Sequence, residues 1–248
     1  MCRMEEELSE HTMLSIANEL NCPVTAFIKM KPGGTNTYAI KYFTSITEIP
    51  ACGHATLASA KCVLNQNDVA DSVLFCTINN IIIKTFVEGD RVLMSYPVYE
   101  LEENAVDDEL LAGLNLDGYK TAGYSPDLET LFIELESAES LRKIQPDYPK
   151  LLNSSDIIKE VVITSVSDSP SFDYYLRSFC PWIGIDEDPV TGSVHSVLGN
   201  FWKRRLHKES MNAYQASPRG GEILVRAFDD RVEIGGQAVI ILKGEISL

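Results

Sequence analysis

The chain has 248 residues, enough for one large domain or two small ones, each able to bury a core. Hydrophobic residues make up 45% and charged residues 23%, an ordinary balance for a soluble globular protein. The formal net charge of −15 argues against nucleic acid and anionic membrane surfaces, and would repel an anionic small molecule, so a carboxylate site here has to work through local dipoles.

The first predicted element is a helix with Ser9 as N-cap and Met13, Leu14, Ile16, Ala17 and Leu20 at helical spacing, ended by Pro23. Residues 24–30 and 37–43 read as strands joined by the turn Pro32-Gly33-Gly34. The helix after Gly53 carries Ala55, Leu57, Ala58, Ala60, Val63 and Leu64 and no charge before Lys61, the pattern of a helix wrapped by other structure. Strands at 72–77, 81–87 and 91–96 follow, with turns at Asn79-Asn80 and Gly89-Asp90. The acidic stretch 100–108 reads as a link between an N-terminal half, 1–103, and a C-terminal half, 104–248, whose last strand could return to the first half.

The second half opens on a short helix at 107–114 and a strand at 128–135, then helices at 137–144 and 147–152. Strands at 161–166 and from 173 lead to a second apolar helix after Gly192, bearing Val194, Val197, Leu198, Phe201 and Trp202. The end reads as strands at 211–216, 222–227, 231–235 and 238–243. Strand, buried helix, strand occurs twice, which predicts an α+β chain of two similar halves.

Two stretches look like versions of one device: Ala51-Cys52-Gly53-His54-Ala55-Thr56, and Glu187-Asp188-Pro189-Val190-Thr191-Gly192-Ser193-Val194-His195. Each turns on glycine and enters an apolar helix, with a histidine in it and an acid before the glycine, Glu48 in the first case and Asp188 in the second. Glycine at a helix mouth lets unpaired N–H groups approach a ligand, and the helix dipole favours an anion there. Two such mouths suggest a cleft for a small anionic substrate flanked by proton-transfer groups.

His54 beside Gly53 is open between a satisfied helix-start histidine and a proton-transfer or substrate-contact role. His195 is open between packing and lining a substrate pocket. Asp188, held extended by Pro189, is open between an N-cap group and a general base or positioning acid. Cys52 at a helix start could be an activated thiol of a two-thiol epimerase, but the second mouth offers Thr191 instead of a partner cysteine.

The six cysteines, Cys2, Cys22, Cys52, Cys62, Cys76 and Cys180, form no C-x-x-C pair, and the acidic start lacks a signal peptide's apolar core. The expectation is a cytoplasmic protein with reduced thiols and no metal site. No apolar run is long enough to span a membrane.

Three segments resemble the phenazine-biosynthesis (PhzF-like) isomerase family: Cys52-Gly53-His54-Ala55-Thr56-Leu57-Ala58; Cys180-Pro181-Trp182-Ile183-Gly184-Ile185 running into Glu187-Asp188-Pro189-Val190-Thr191-Gly192-Ser193; and Tyr214-Gln215 followed by Arg219-Gly220-Gly221-Glu222. The resemblance implies a fold like that of diaminopimelate epimerase, in which each half wraps a β-barrel-like sheet around a central helix and the site lies in the cleft between halves. It implies a homodimer that isomerises a small carboxylate-bearing metabolite by moving a proton, without metal or cofactor. By motif position His54 and Asp188 would be catalytic, and Gly53, Gly192 and Ser193 would bind substrate, with His195 as a further binding candidate.

Two departures bear on activity. Where the family has Asn-Leu-Ser-Glu-Thr, whose glutamate is the general acid/base, this chain has Asn21-Cys22-Pro23-Val24-Thr25. Valine carries no proton, so the expected activity is reduced. The family's opening strand and Gly-Asn-Pro turn are also expected to be missing. The competing readings are a non-catalytic small-anion-binding protein and an epimerase using Cys52.

Overall fold

The protein is described from a computed structural model covering residues 1–34, 36–65 and 71–247. Contacts divide the chain into two units, Met1–Tyr96 with Gly235–Leu248, and Pro97–Ile234.

Unit 1 runs β1 (Cys2–Arg3), α1 (Glu10–Leu20), β2 (Thr25–Met30), β3 (Thr37–Phe43), β4 (Glu48–Ile49), α2 (Gly53–Leu64), β5 (Ser72–Cys76), β6 (Ile82–Glu88) and β7 (Arg91–Pro97). Its sheet is ordered β1-β2-β3-β5-β6-β7, with β4 folded back on β3. A two-residue strand precedes α1: Cys2 and Arg3 pair in parallel with Phe27 and Ile28, and the Met4 N–H extends the pairing to the Ile28 carbonyl. Two residues are too few to show a period-2 pattern, which is why the sequence did not reveal them.

Ser9 caps α1 by accepting from the Thr12 N–H at 3.1 Å, and the helix stops at Asn21, which takes a left-handed φ of 47° two residues before Pro23. Met13 and Ala17 then pack on Phe27 and Phe43. Helix α2 packs against β2, β5 and β6. Its buried hydroxyls are satisfied within the unit: Thr56 donates to the Cys52 carbonyl at 2.8 Å and meets the Tyr42 hydroxyl at 2.6 Å, and Ser59 donates to the Ala55 carbonyl at 2.7 Å.

Unit 2 runs β8 (Glu102–Glu103), α3 (Asp108–Leu114), β9 (Thr121–Ser125), β10 (Thr130–Glu134), α4 (Ala138–Lys143), α5 (Tyr148–Leu152), β11 (Glu160–Val166), β12 (Tyr174–Cys180), β13 (Ile185–Glu187), α6 (His195–Leu206), β14 (Ser210–Gln215), β15 (Gly221–Ala227) and β16 (Arg231–Gly236). The order is β16-β15-β14-β12-β11-β10-β9-β8, with β13 on β12. Because β8 pairs with β9, the segment before residue 104 goes with unit 2.

Helix α6 sits among strands of this sheet. A Cβ on Gly199 would lie 3.0 Å from the Val232 methyls of β16. The Trp202 indole donates to the Thr164 hydroxyl of β11 at 3.0 Å and stacks on Tyr174 of β12. Each unit therefore wraps its sheet around one helix, as the α+β reading of the sequence expects.

One pattern occurs in both units. An antiparallel pair (β2-β3, β11-β12) is followed by a short strand folded back on it (β4, β13). A helix (α2, α6) then leads to a strand parallel to the second of the pair (β5, β14). The registers match residue by residue: Thr25 pairs with Phe43 and Phe43 with Glu48, as Val161 pairs with Phe179 and Phe179 with Glu187. Gly53 and Gly192 stand at equal spacing after Glu48 and Glu187, so the counterpart of His54 is Ser193, and that of His195 is Thr56. The two histidines are not equivalents of each other.

Residues 238–243, expected as a strand, form none, and Val239, Ile241 and Leu242 are 82%, 92% and 87% exposed. Their apolar composition matches a strand, but a strand also needs a hydrogen-bonding neighbour, which composition does not supply.

Candidate active site

In unit 2 the turn into α6 is held by one buried amide. Gln215 of β14 donates through Nε2 to the Asp188 carbonyl at 2.6 Å and accepts at Oε1 from the Thr191 N–H at 2.6 Å. The Thr191 hydroxyl donates to Asp188 Oδ2 at 2.6 Å, so this carboxylate is aimed by its own turn. On the other side the Asp188 N–H donates to the Ser178 carbonyl at 3.0 Å. Val190 rests on Gly221, where a Cβ would come within 2.4 Å of its Cγ2, and Ser217 donates to the Pro189 carbonyl at 2.7 Å.

Arg177 fixes the strand that delivers Asp188. Its Nε and Nη2 donate to the two oxygens of Glu187 at 2.8 and 2.9 Å, and its Nη1 to the Ile144 carbonyl at 2.7 Å. Glu187 is thereby committed to an almost enclosed ion pair. Asp188, next along, is half-buried.

Gly192 and Ser193 form the half-buried turn ahead of α6. The His195 N–H bonds back to the Gly192 carbonyl and the Ser196 N–H to the Ser193 carbonyl, a tight first turn. N–H groups before it have no intrahelical acceptor, which suits an anion. His195 is the first residue of α6 and is fully buried, with Nδ1 at 2.7 Å from the Tyr174 hydroxyl. Burial pushes its imidazole down to about 3, so it is neutral at physiological pH.

In unit 1, Cys52 is the extended N-cap residue of α2, and its Sγ lies 3.3 Å from His54 Nε2. Cys52 is buried and His54 is exposed on the first turn. Glu48 Oε1 is buried, with no hydrogen-bond partner among the described residues. Val24 directly precedes β2 and is half-buried.

The structure thus groups Cys52 with His54, and Asp188 with Thr191 and Gln215. Sequence reasoning missed Arg177 and Ser178 as supports of the Asp188 turn. The charge and polarity of Arg177 and Ser178 inside an apolar strand were the available signal. Among the described residues no group of His, Cys, Asp or Glu is arranged to hold a metal ion, and no helix is long and apolar enough to cross a membrane. A recess of about 460 Å³ lined in part by Asn115, Tyr119, Glu136 and Lys143 includes none of the candidate residues.

Residues 1–244 match the sequence profile of the phenazine biosynthesis-like protein family, PhzC-PhzF. A mouse phenazine biosynthesis-like domain-containing protein 2 is 33% identical over 267 residues, covering 100% of this chain and 92% of its own. An uncharacterized isomerase of Halalkalibacterium halodurans is 34% identical over 251 residues, covering 100% of this chain and 91% of its own. The crystal structure of a PhzF-family phenazine biosynthesis protein from Enterococcus faecalis superposes with a TM-score of 0.88 at 34% identity, covering 99% of this chain and 91% of that one.

Proposed function

The chain belongs to the phenazine biosynthesis-like (PhzC-PhzF) family, and from that premise we propose that it is an isomerase that moves a proton within a small carboxylate-bearing metabolite, using side chains alone. The observation that supports this best is the Asp188 carboxylate at a helix mouth, hydrogen-bonded by the Thr191 hydroxyl on a turn whose main chain Gln215 clamps. A carboxylate fixed in one orientation is what general-base work requires.

Gly192 and Ser193 hold a substrate carboxylate through main-chain N–H groups and the serine hydroxyl, and Gly53 is the anion-holding glycine at the corresponding place in unit 1. Asp188 takes a proton from carbon, and the electron pair left behind delocalises into the substrate's unsaturated system. His54 delivers a proton at another carbon, so the composition of the substrate is unchanged, and solvent then takes the proton from Asp188 and returns one to His54. His195, enclosed and tied to Tyr174, seats the start of α6 beneath Ser193. Val24 leaves unit 1 without a carboxyl ahead of β2, so turnover is slow.

Deuterium uptake from solvent into a bound carboxylate, followed by NMR, tests this. The second reading, a binding protein without chemistry, is favoured by Val24 and predicts binding with no uptake. The Cys52 epimerase reading is weakened by the residue at the corresponding place in unit 2, Thr191, which has no thiol.

A further inference from the structure

The matched registers give Val24 a counterpart. Thr25 corresponds to Val161, so the residue before β2 corresponds to the residue that opens β11, Glu160. Unit 1 has a valine at this place and unit 2 has a carboxyl.

That carboxyl is joined to the Asp188 turn. The Ser178 hydroxyl donates to Glu160 Oε1, and the Thr130 hydroxyl donates to Oε2 at 3.2 Å. Ser178 is the residue whose carbonyl receives the Asp188 N–H at 3.0 Å. Asp188 is thus held from β14 through Gln215 and from β12 through Ser178, with Glu160 behind Ser178. We propose that Glu160 is the positioning residue of Asp188, fixing its turn through Ser178, so that unit 2 carries at this place the carboxyl that Val24 does not supply in unit 1. The proposal rests on the isomerase reading.

The electrostatics agree with it. Burial, with the nearby Asp188 charge adding to it, raises Glu160 to about 7, against the Ser178 and Thr130 hydrogen bonds that favour its charged form. The groups facing it are Ser178 and Cys180 from β12, Thr130 from β10, and Asp188. The Cys180 thiol is itself pushed up by burial and then by Glu160 and Asp188. Below about pH 7 Glu160 is protonated and adds no charge near Asp188. Above it a second charge stands beside Asp188 and opposes an anionic substrate.

Two measurements test this. The first is carboxyl ¹³C NMR titration of Glu160 in the parent and in Asp188→Asn. The midpoint should lie near neutral in the parent and lower in the variant. A midpoint in the ordinary carboxylate range, or one that Asp188→Asn does not move, overturns the proposal without requiring any Glu160 variant to fold.

The second is solvent deuterium uptake into a carboxylate already shown to bind, for the parent and Glu160→Gln. Parent exchange should be about tenfold slower near pH 8.5 than near 6.5, and Glu160→Gln should lose that fall, because glutamine keeps the uncharged form. A merely structural Glu160 would slow both pH values alike, which overturns the proposal. An exchanging parent with an uncoupled Glu160 overturns this proposal alone. A coupled Glu160 in a protein that binds carboxylates and exchanges none overturns the isomerase reading, and with it the part of Glu160 in a reaction.

Discussion

Gln215 bridges the turn that carries Asp188, donating to the Asp188 carbonyl and accepting from the Thr191 N–H, each at 2.6 Å. One fully buried side chain on β14 therefore fixes the main chain of the turn that carries the Asp188 carboxylate. Gln215→Leu keeps the volume and removes both bonds. It should cost about 1–3 kcal/mol in urea unfolding, because two main-chain groups lose their partners. It should also weaken binding of a small carboxylate, as read by calorimetry. Full stability with unchanged binding would show that the turn is held by other means.

Arg177 and Glu187 form a two-pronged pair with side chains only 10% and 9% exposed. Removing one partner strands a charge, so Arg177→Met should lower unfolding stability by about 3–5 kcal/mol. Arg177→Met with Glu187→Leu should recover most of that loss in the same denaturation experiment. A double variant no better than the single one would mean that the Ile144 contact of Arg177 matters more than the ion pair.

Gly221 is the floor on which Val190 rests. Gly221→Ala places a methyl 2.4 Å from Val190 Cγ2, so the Asp188 turn has to shift. The expected result is a folded protein with weaker carboxylate binding, restored when Val190→Ala makes room. Binding unchanged in Gly221→Ala would show that the turn yields without moving Asp188.

His195 is neutral in the folded protein because burial lowers it from 6.5 to about 3. The unfolded chain takes up this proton first, below its ordinary pKa. Stability is therefore complete above about pH 6.5 and falls as the pH drops towards 3, by about 1.4 kcal/mol per pH unit at most. His195→Asn can still meet the Tyr174 hydroxyl and does not titrate, so its urea midpoint should vary less between pH 7 and 5 than that of the parent. Equal slopes would show that other groups set the acid dependence.

Much of the fold was legible where the pattern is local. The strand at 37–43 is β3 as read, and the apolar, charge-free run after Gly53 is the enclosed helix α2. The missed strands lack a local signal: β13 has three residues, and β9 has Gly123 at its centre, packed so closely on Leu101 that a Cβ would sit 2.7 Å from Cγ. The glycine mouths and Asp188 were readable because a turn into a helix has a sequence signature. Glu160 was not, since its place depends on the registers of four strands in two separate units, which no single stretch contains.

Restoring a carboxyl at the position ahead of β2 tests the role of Val24. General acid–base groups contribute ~10²–10⁴-fold, so Val24→Glu should raise proton exchange within that range over the parent. A variant that folds and binds but exchanges no faster would mean that the missing carboxyl ahead of β2 does not limit exchange.

Solvent deuterium uptake by a carboxylate that binds the parent protein, followed by NMR beside Asp188→Asn, tests the proton transfer at Asp188 most directly. The predicted result is slow but measurable uptake at carbon in the parent, abolished in Asp188→Asn with the fold retained. Tight carboxylate binding with no uptake in the parent or in Val24→Glu would contradict it and leave a binding protein.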